Sequence, residues 1–329
     1  MLSDRQKHLL TLLVDGRFHS GRELADTLGV SRTSVWKHLQ CFNEMGLEIL
    51  AVTGKGYQLL NRLNLLEVTV IESNIPYVLR AKIPAIRLFE QIDSTNTYLM
   101  NLAHQGALSG MVCLAEYQSA GRGRRGRNWV SPFGANIYLS LLWRFNQGLA
   151  VISGLSLVMG VAVIRSLRRL GYRDIGLKWP NDIYWQRRKL GGILVEVTGE
   201  SNGPCVAVIG LGLNVCVPPS AASAIDQAWV DLQHINSNLA CERNVLVAAL
   251  LTEMLSILIE FENQPLAAFL EEWRAYDCLF EHQVKVVLYG QEIVGVAKGI
   301  NDNGLLLLQH NDGITRAYTS GEISFNLVD

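Results

Sequence analysis

Residues 148–164 limit what this chain can become more than any other stretch, because they run for 17 positions without a charge. Such a segment is buried either in protein or in lipid. A bilayer crossing takes roughly 20 predominantly apolar residues. This run is shorter and carries three glycines and two serines, so it reads as the buried helix of a large core. The whole chain of 329 residues is 49% hydrophobic and 18% charged, enough to supply that core and to exclude disordered and collagen-like classes. At roughly 100–200 residues per domain, two or three domains are expected.

Lys and Arg number 29 against 30 Asp and Glu, so any nucleic-acid contact must come from a local patch. The N-terminus carries no secretory pattern: residues 1–6 are polar, and the leucines that follow have helical spacing. Six scattered cysteines (Cys41, Cys113, Cys205, Cys216, Cys241, Cys278) include no CxxC pair, and the seven histidines form no HxH or HExxH pattern. Neither a disulfide framework nor a zinc site is indicated. Reduced thiols and a cytoplasmic address are expected.

The first 64 residues carry a helix-turn-helix pattern. Ser20 and Glu23 form an S-x-x-E capping box, in which the hydroxyl takes an early amide and the carboxylate reaches back. The helix it opens, through Leu24, Ala25 and Leu28, ends at Gly29, where the lack of a Cβ suits a left-handed turn. Ser31 caps a second helix with Val35, Leu39 and Phe42 on its apolar face. Its outward residues Arg32, Thr33, Lys37 and Gln40 are placed to meet base edges in a major groove. Residues 47–53 and 57–60 then read as strands around a Gly54-Lys55-Gly56 turn that offers Lys55 to a phosphate. Eight Lys and Arg against six Asp and Glu over 1–64 is a modest excess, so the pattern alone fits a DNA-binding unit or an ordinary helical pair.

Residues 121–126 spell GRGRRG, a literal match to the dinucleotide fingerprint. A Rossmann turn opens a helix and is followed about 20 residues on by an acidic residue. Here residues 129–134 read as loop and 136–143 as strand, and no Asp or Glu occurs between Glu116 and Asp174. What remains is a loop with Arg122, Arg124, Arg125 and Arg127 spaced by glycines. Glycines admit a ligand close to the backbone, and guanidinium forks match phosphate or carboxylate oxygens. Because the arginines repel one another, a bound phosphate is expected to order the loop. The alternative is a solvated or nucleic-acid-binding loop.

Lys178-Trp179-Pro180-Asn181-Asp182 is followed by Lys189-Leu190-Gly191-Gly192-Ile193-Leu194. Strands at 175–178, 183–185 and 192–197, with a turn at 186–188, make a hairpin that carries a lysine on each side of one carboxylate. Twin glycines in a returning strand mark a place where a ligand lies against the backbone. Read blandly, the two lysines are surface groups. Asp93-Ser94-Thr95-Asn96 precedes a helix starting near Thr97, so Ser94 or Thr95 reads as an N-cap, and the same groups can hydrogen-bond a small polar ligand.

In this order, DSTN, EYQSAGRGRRGRNW with SPFGANIYLS, KWPND, KLGGILVE and GLGLNV resemble the biotin protein ligases. With the helix-turn-helix in front, the likeness is to the bifunctional type that is also the biotin-operon repressor, and it spans nearly the whole chain. It implies a two-step reaction. Biotin and ATP with Mg2+ give biotinyl-5′-AMP and pyrophosphate, and the adenylate then acylates a lysine of a biotin carboxyl carrier protein. Two anions meet in the first step, so fixed cations are the main catalytic device. No covalent nucleophile is required, in keeping with the lack of a triad.

By this resemblance Lys189 meets the α-phosphate and the biotin carboxylate, while Arg122 and Arg124 close over the intermediate; these three are the implied catalytic groups. Gly121 and Gly123 supply loop amides. Ser94, Thr95, Asn96 and Gln118 bond the ureido head, and Gly191, Gly192, Ile193 and Trp129 wall the apolar tail, with Trp129 also available to the adenine. Arg127, Lys178, Asn181 and Asp182 fall on the nucleotide side, Asp182 as a magnesium contact through the phosphates. Asn214 touches the adenylate, and Trp229 packs over the adenine.

The architecture expected is multidomain α+β. A winged helix-turn-helix occupies 1–64 and an α/β catalytic domain of class II-synthetase-like kind 65–277. A small SH3-like β-barrel, signalled by the dense Asn/Asp-Gly turns after Leu279, occupies 278–329. The resemblance further implies operator DNA as a partner, no membrane, biotinyl-5′-AMP as corepressor, and an adenylate-dependent homodimer formed through sheet edges for which the carrier competes. Two rivals stand beside it: a ligand-sensing transcription factor without catalysis, and a lipoate or octanoate ligase of similar fold.

Overall fold

The structure is a computed structural model and describes residues 2–60, 63–149, 152–200, 203–237, 241–288 and 290–325. Its first unit is organised by caps. Ser3 with Gln6 and Ser20 with Glu23 form capping boxes that start α1 (Asp4–Leu13) and α2 (Gly21–Leu28). Gly29, at φ 61°, ends α2, and Ser31 starts α3 (Arg32–Glu44). Leu9, Leu13, Leu24, Val35, Leu39 and Phe42 fill the space between the three helices. β1 (Ile49–Val52) and β2 (Gly56–Leu59) pair antiparallel as the wing. The wing is fastened to the α1–α2 connection, where His19 and Tyr57 exchange two backbone bonds of 2.9 Å each. A Cβ on Gly56 would collide with the His19 carbonyl, which is why that position is glycine.

Two short helices, α4 (Val68–Ser73) and α5 (Tyr77–Arg80), lead into a seven-stranded sheet. Its strands are β3 (Ile86–Phe89), β4 (Val112–Ala115), β5 (Ile137–Phe145), β6 (Ile175–Lys178), β7 (Asp182–Trp185), β8 (Arg188–Gly199) and β9 (Cys205–Leu213), in the order β3-β4-β5-β9-β8-β7-β6. Only β3 and β4 run parallel. On one face α6 (Thr95–His104) lays Leu99 and Ala103 against Cys113, Leu142 and Val208. On the other, α7 (Leu155–Arg169) packs against α10 (Arg243–Phe261) and α11 (Ala267–Ala275), over Leu139, Leu141 and Ile209. Cover on both faces accounts for β5 and β9 being apolar almost throughout instead of alternating. The remaining short helices, α8 (Pro219–Ala222) and α9 (Leu232–Ile235), lie in the connection after β9.

Of the 17 residues of the uncharged run, the last ten, 155–164, belong to a helix. α7 begins at Leu155 behind Gly154, whose φ of 86° lies outside the right-handed helix region, and it continues past the run through Arg165, Arg168 and Arg169. Among the described residues α10 is the one helix long and apolar enough to cross a membrane, and 67% of its most apolar window is buried in this core.

The last strands, β10 (Gln283–Leu288), β11 (Gln291–Ile300), β12 (Leu306–Gln309), β13 (Thr315–Tyr318) and β14 (Glu322–Phe325), form a five-stranded antiparallel sheet ordered β13-β12-β11-β10-β14. Its inward residues Val284, Val286, Leu306 and Leu308 join the same continuous core as α7 and α10. Trp179 Nε1 donates to Gly304 O at 3.0 Å and ties this unit to the hairpin of the central sheet.

The N-terminal unit is joined by a polar knot and an apolar plug. Glu116 and Arg243 form a buried ion pair of 2.8 Å. Arg243 also donates to Asn64 O and Asn136 O, and Glu116 accepts the Leu66 amide at 2.6 Å. Phe133, 2% exposed, is buried in the cluster formed by the three N-terminal helices, and its amide donates to Met45 O at 2.8 Å.

Candidate active site

The site is a cavity of about 770 Å³, within the usual range for a small-molecule pocket. Its floor is β5, β8 and β9, one wall is the N-terminus of α6, the roof is the 122–130 loop, and the rim includes residues 224–227 and 321–324.

One end is lined by hydrogen-bonding groups without net charge. Ser94 caps α6 by accepting the Thr97 amide, so the N-cap reading holds, and Ser94 also lines the cavity. Gln118 Oε1 accepts the Thr95 amide at 2.9 Å and its hydroxyl at 3.1 Å, while Gln118 Nε2 donates to Ser131 at 3.2 Å. Ser140, which sequence reasoning missed, sets its hydroxyl 2.6 Å from Asn96 Oδ1 and 2.8 Å from Thr95 Oγ1. Asn96 Nδ2 donates to Glu196 at 2.9 Å and to Leu194 O at 3.3 Å. These pairings fix both amide orientations and leave acceptor capacity on Asn96 Oδ1.

Two glycines make this end possible. A Cβ on Gly210 would collide with Asn96 Oδ1, and one on Gly212 would lie 2.5 Å from the Trp129 indole. A glycine at every second position leaves one face of β9 bare, so Asn96 and Trp129 lie directly on the strand. The G-x-G spacing in GLGLN was the available signal for this. Trp129 Nε1 is buried with no hydrogen-bond partner among the described residues.

The other end is cationic. Asp182 Oδ1 lies 2.9 Å from Lys189 Nζ, and Oδ2 lies 3.6 Å from Lys178 Nζ. A bulge between Ile183 and Tyr184 in the β7–β8 ladder shifts the pairing so that Tyr184 faces Lys189. The Gly192 position is filled by the lysine itself: a Cβ there would lie 3.3 Å from Lys189 Cε. Gly191 is glycine for a different reason, since its Cβ would approach Gly212 O on the neighbouring strand to 2.8 Å. The twin glycines therefore serve a strand contact and a lysine, with only Gly192 on the cavity. The turn is Gln186-Arg187, both at positive φ, and Arg188 already belongs to β8. Lys178 also donates to the Tyr184 hydroxyl at 2.9 Å. Burial lowers the Lys178 pKa, with Asp182 the main group opposing that shift, and burial raises the Tyr184 pKa.

The arginine loop contains its own answer to charge repulsion. Arg122 Nη2 donates to both carboxylate oxygens of Glu196, at 2.8 and 3.0 Å, Arg124 donates to Asn181 Oδ1 at 2.9 Å, and Arg127 pairs with Glu322 of β14. Arg124 is partly buried, which lowers its pKa, and Asp182 opposes the shift. Asn181 in turn is held by Ile193, whose backbone carbonyl accepts from its side chain at 2.7 Å. Protein partners thus neutralise or occupy three of the loop's four arginines, which offsets part of the repulsion that a bound phosphate was expected to relieve.

Other expected residues fall differently. The Gly123 amide is spent on Arg127 O at 2.7 Å and is not offered to a ligand. Gly121 lies behind the cavity, crowded by Ser131 and Trp129 O at 2.6 Å from its missing Cβ. Asn214 is buried, with Nδ2 donating to Val230 O at 3.1 Å, and Trp229 pairs through its backbone with Lys189. Neither lines the cavity; they clamp the strand that carries Lys189, and Ala224, Asp226 and Gln227 line the rim instead. Among the described residues no group of three or more His, Cys, Asp or Glu side chains is placed to hold a metal ion. Asp182, between two lysines, does not make a resident metal site.

On α3, Arg32, Thr33, Lys37 and Gln40 are exposed together, as is Lys55 at the wing turn, 5.7 Å from the Phe18 ring centroid. Trp36, 50% exposed on the same helix, was not anticipated. The six cysteines are free.

Residues 88–214 match the Biotin/lipoate A/B protein ligase family, residues 5–58 an HTH domain, and residues 280–326 the Biotin protein ligase C terminal domain. The chain is 43% identical to the bifunctional ligase/repressor BirA of Escherichia coli K12, over 96% of this chain and 95% of that one. The bifunctional ligase/repressor BirA of Bacillus subtilis is 30% identical over 97% and 98%. Among solved structures, the biotin protein ligase from Aquifex aeolicus in complex with biotin and ATP superposes with a TM-score of 0.61 at 26% identity, covering 74% of this chain and 98% of that one. A cavity with a neutral and a cationic end, behind a winged helix-turn-helix and spanned by near-full-length matches, places the chain in the biotin protein ligase family, in its bifunctional ligase/repressor branch.

Proposed function

We propose that this chain activates biotin with ATP to biotinyl-5′-AMP, releasing pyrophosphate, and transfers the biotinyl group to one lysine of a biotin carboxyl carrier protein. The observation that carries this is the division of a single cavity. Thr95, Asn96, Gln118 and Ser140 build an uncharged polar end suited to a cyclic urea, and Lys178, Lys189 and Arg124 build a cationic end around Asp182. Lys189 holds the biotin carboxylate against the α-phosphate, so that the repulsion between the two anions is offset where they react. Arg124, Asn181 and Lys178 hold the remaining phosphate charge, and Trp129 covers the acyl chain. Magnesium enters with the ATP phosphates as part of the substrate, near Asp182.

A lipoate ligase reading is disfavoured by the polar end. A dithiolane has no N–H to give the remaining acceptor capacity of Asn96 Oδ1, and a site built to hydrogen-bond its ligand discriminates strongly against one that cannot. A sensor without catalysis has no need of the Lys189–Asp182–Lys178 arrangement.

The N-terminal unit is proposed to bind operator DNA through Arg32, Thr33, Lys37 and Gln40 with Lys55 on a phosphate, and biotinyl-5′-AMP to be its corepressor. The three units are proposed to span 1–64, 65–277 and 278–329, and the protein is proposed to be cytoplasmic. Dimerisation is proposed through the sheet edge, where β8 beyond Ile193 has, among the described residues, a ladder partner on one side only and Val197 is 44% exposed. The test is transfer of labelled biotin to a purified carrier domain. ATP-dependent label on the carrier, absent when its acceptor lysine is arginine and insensitive to excess lipoate, is the expected result. No label, or label displaced by lipoate, contradicts the reading.

A further inference from the structure

We infer that Glu196 is a positioning residue that locks the arginine loop to the head-binding end of the cavity. This rests on the ligase reading and deepens it by giving a role to Glu196, the last residue of KLGGILVE, to which the sequence reading assigned none. Glu196 lies on β8, seven residues beyond Lys189, and one carboxylate serves two masters. It takes the Arg122 guanidinium at 2.8 and 3.0 Å and Asn96 Nδ2 at 2.9 Å. Asn96 is buried and oriented from the other side by Ser140. The path from the ureido-facing amide to the loop is therefore two hydrogen bonds long and passes through Glu196.

Three consequences follow from that geometry. With its donors held by Glu196 and Leu194 O, Asn96 is set to present Oδ1 to a ligand N–H, which selects a neutral urea or amide head. Arg122 is held at this end as the loop's anchor, while Arg124 and Lys189 are the cations placed toward the phosphate end. A ligand seated on Asn96 stabilises the amide orientation that Glu196 requires, and through Glu196 it stabilises the closed loop.

The test is limited trypsin digestion of the full chain with and without saturating biotin, following cleavage after Arg122, Arg124, Arg125 and Arg127. Biotin is expected to slow cleavage of the unaltered chain by about tenfold, the size of one charge-assisted hydrogen bond. Glu196→Ala is expected to lose that protection, and Glu196→Gln, which keeps size and an acceptor, to retain most of it. In pyrophosphate exchange, Glu196→Ala is expected to raise the KM for biotin by about tenfold with the KM for ATP within about twofold. Equal protection in the unaltered chain and in Glu196→Ala, with an unchanged KM for biotin, overturns the role of Glu196 alone. An unaltered chain that biotin does not protect overturns the coupling of head and loop, and exchange that does not require biotin overturns the ligase reading as well.

Discussion

Asp182 stands between Lys189, at 2.9 Å, and Lys178, at 3.6 Å, so one carboxylate holds both lysines at the cationic end of the cavity. Two ammonium groups this close repel unless an anion lies between them. Asp182 supplies it within the fold and leaves the pair with excess positive charge for a phosphate.

Replacing Asp182 by Asn tests this arrangement through pH. Burial already pulls the Lys178 pKa down, and Asp182 is the strongest of the groups opposing it, with Cys278 also raising it and Arg127 lowering it. Without Asp182 the ammonium gives up its proton at lower pH. The alkaline limb of the adenylation rate is therefore expected to move to lower pH in D182N, with reduced activity on its plateau. A pH profile of pyrophosphate exchange reads the shift directly.

Phe133 connects the loop that roofs the cavity to the N-terminal helices. It follows Trp129 by four residues and is buried among Leu9, Leu39 and Phe42. Truncating a buried Phe costs about 3–5 kcal/mol. In Phe133→Ala the N-terminal unit is expected to unfold in a separate, earlier calorimetric transition while pyrophosphate exchange stays within about threefold of the unaltered chain. A single unshifted transition would show that the plug does not carry the junction.

Asp277 gives a stability signature outside the site. Burial raises its pKa to about 6, against the backbone amide of Leu279 and His282, which lower it, and its Oδ2 has no hydrogen-bond partner among the described residues. The folded state then binds more protons than the unfolded state between the ordinary carboxylate pKa and about 6. Stability from this group falls as pH rises through that window. Asp277→Asn removes the titration and keeps the Leu279 contact available, so its stability is expected to exceed that of the unaltered chain at neutral pH and to lose this slope. Denaturant titrations from pH 4 to 7 measure both.

What was legible in sequence was what is local. Ser20 with Glu23, Gly29 and Ser31 act within four residues of themselves, and each caps the helix end expected of it. Lys178, Asp182 and Lys189 lie on three consecutive antiparallel strands, β6, β7 and β8, so their convergence followed from spacing. Glu196 and Ser140 reach Asn96 through sheet pairing 100 and 44 residues away, which no spacing rule anticipates. Glu322 meets Arg127 across 195 residues. The bulge at Ile183/Tyr184 is decided by how β7 and β8 pair, and of the two apparently ligand-facing glycines Gly191 is a strand contact because consecutive strand residues face opposite sides. The start of α7 was misplaced because composition cannot separate an apolar turn from an apolar helix, whereas Gly154 could have marked the boundary.

The most direct test of the central claim is isotope exchange between pyrophosphate and ATP in the presence of magnesium, with and without biotin. The account predicts exchange that requires biotin and falls by about 10²–10³ in Lys189→Ala, the range for removing one fixed transition-state charge partner. Biotin-independent exchange, no exchange from folded protein, or full exchange in Lys189→Ala would contradict it.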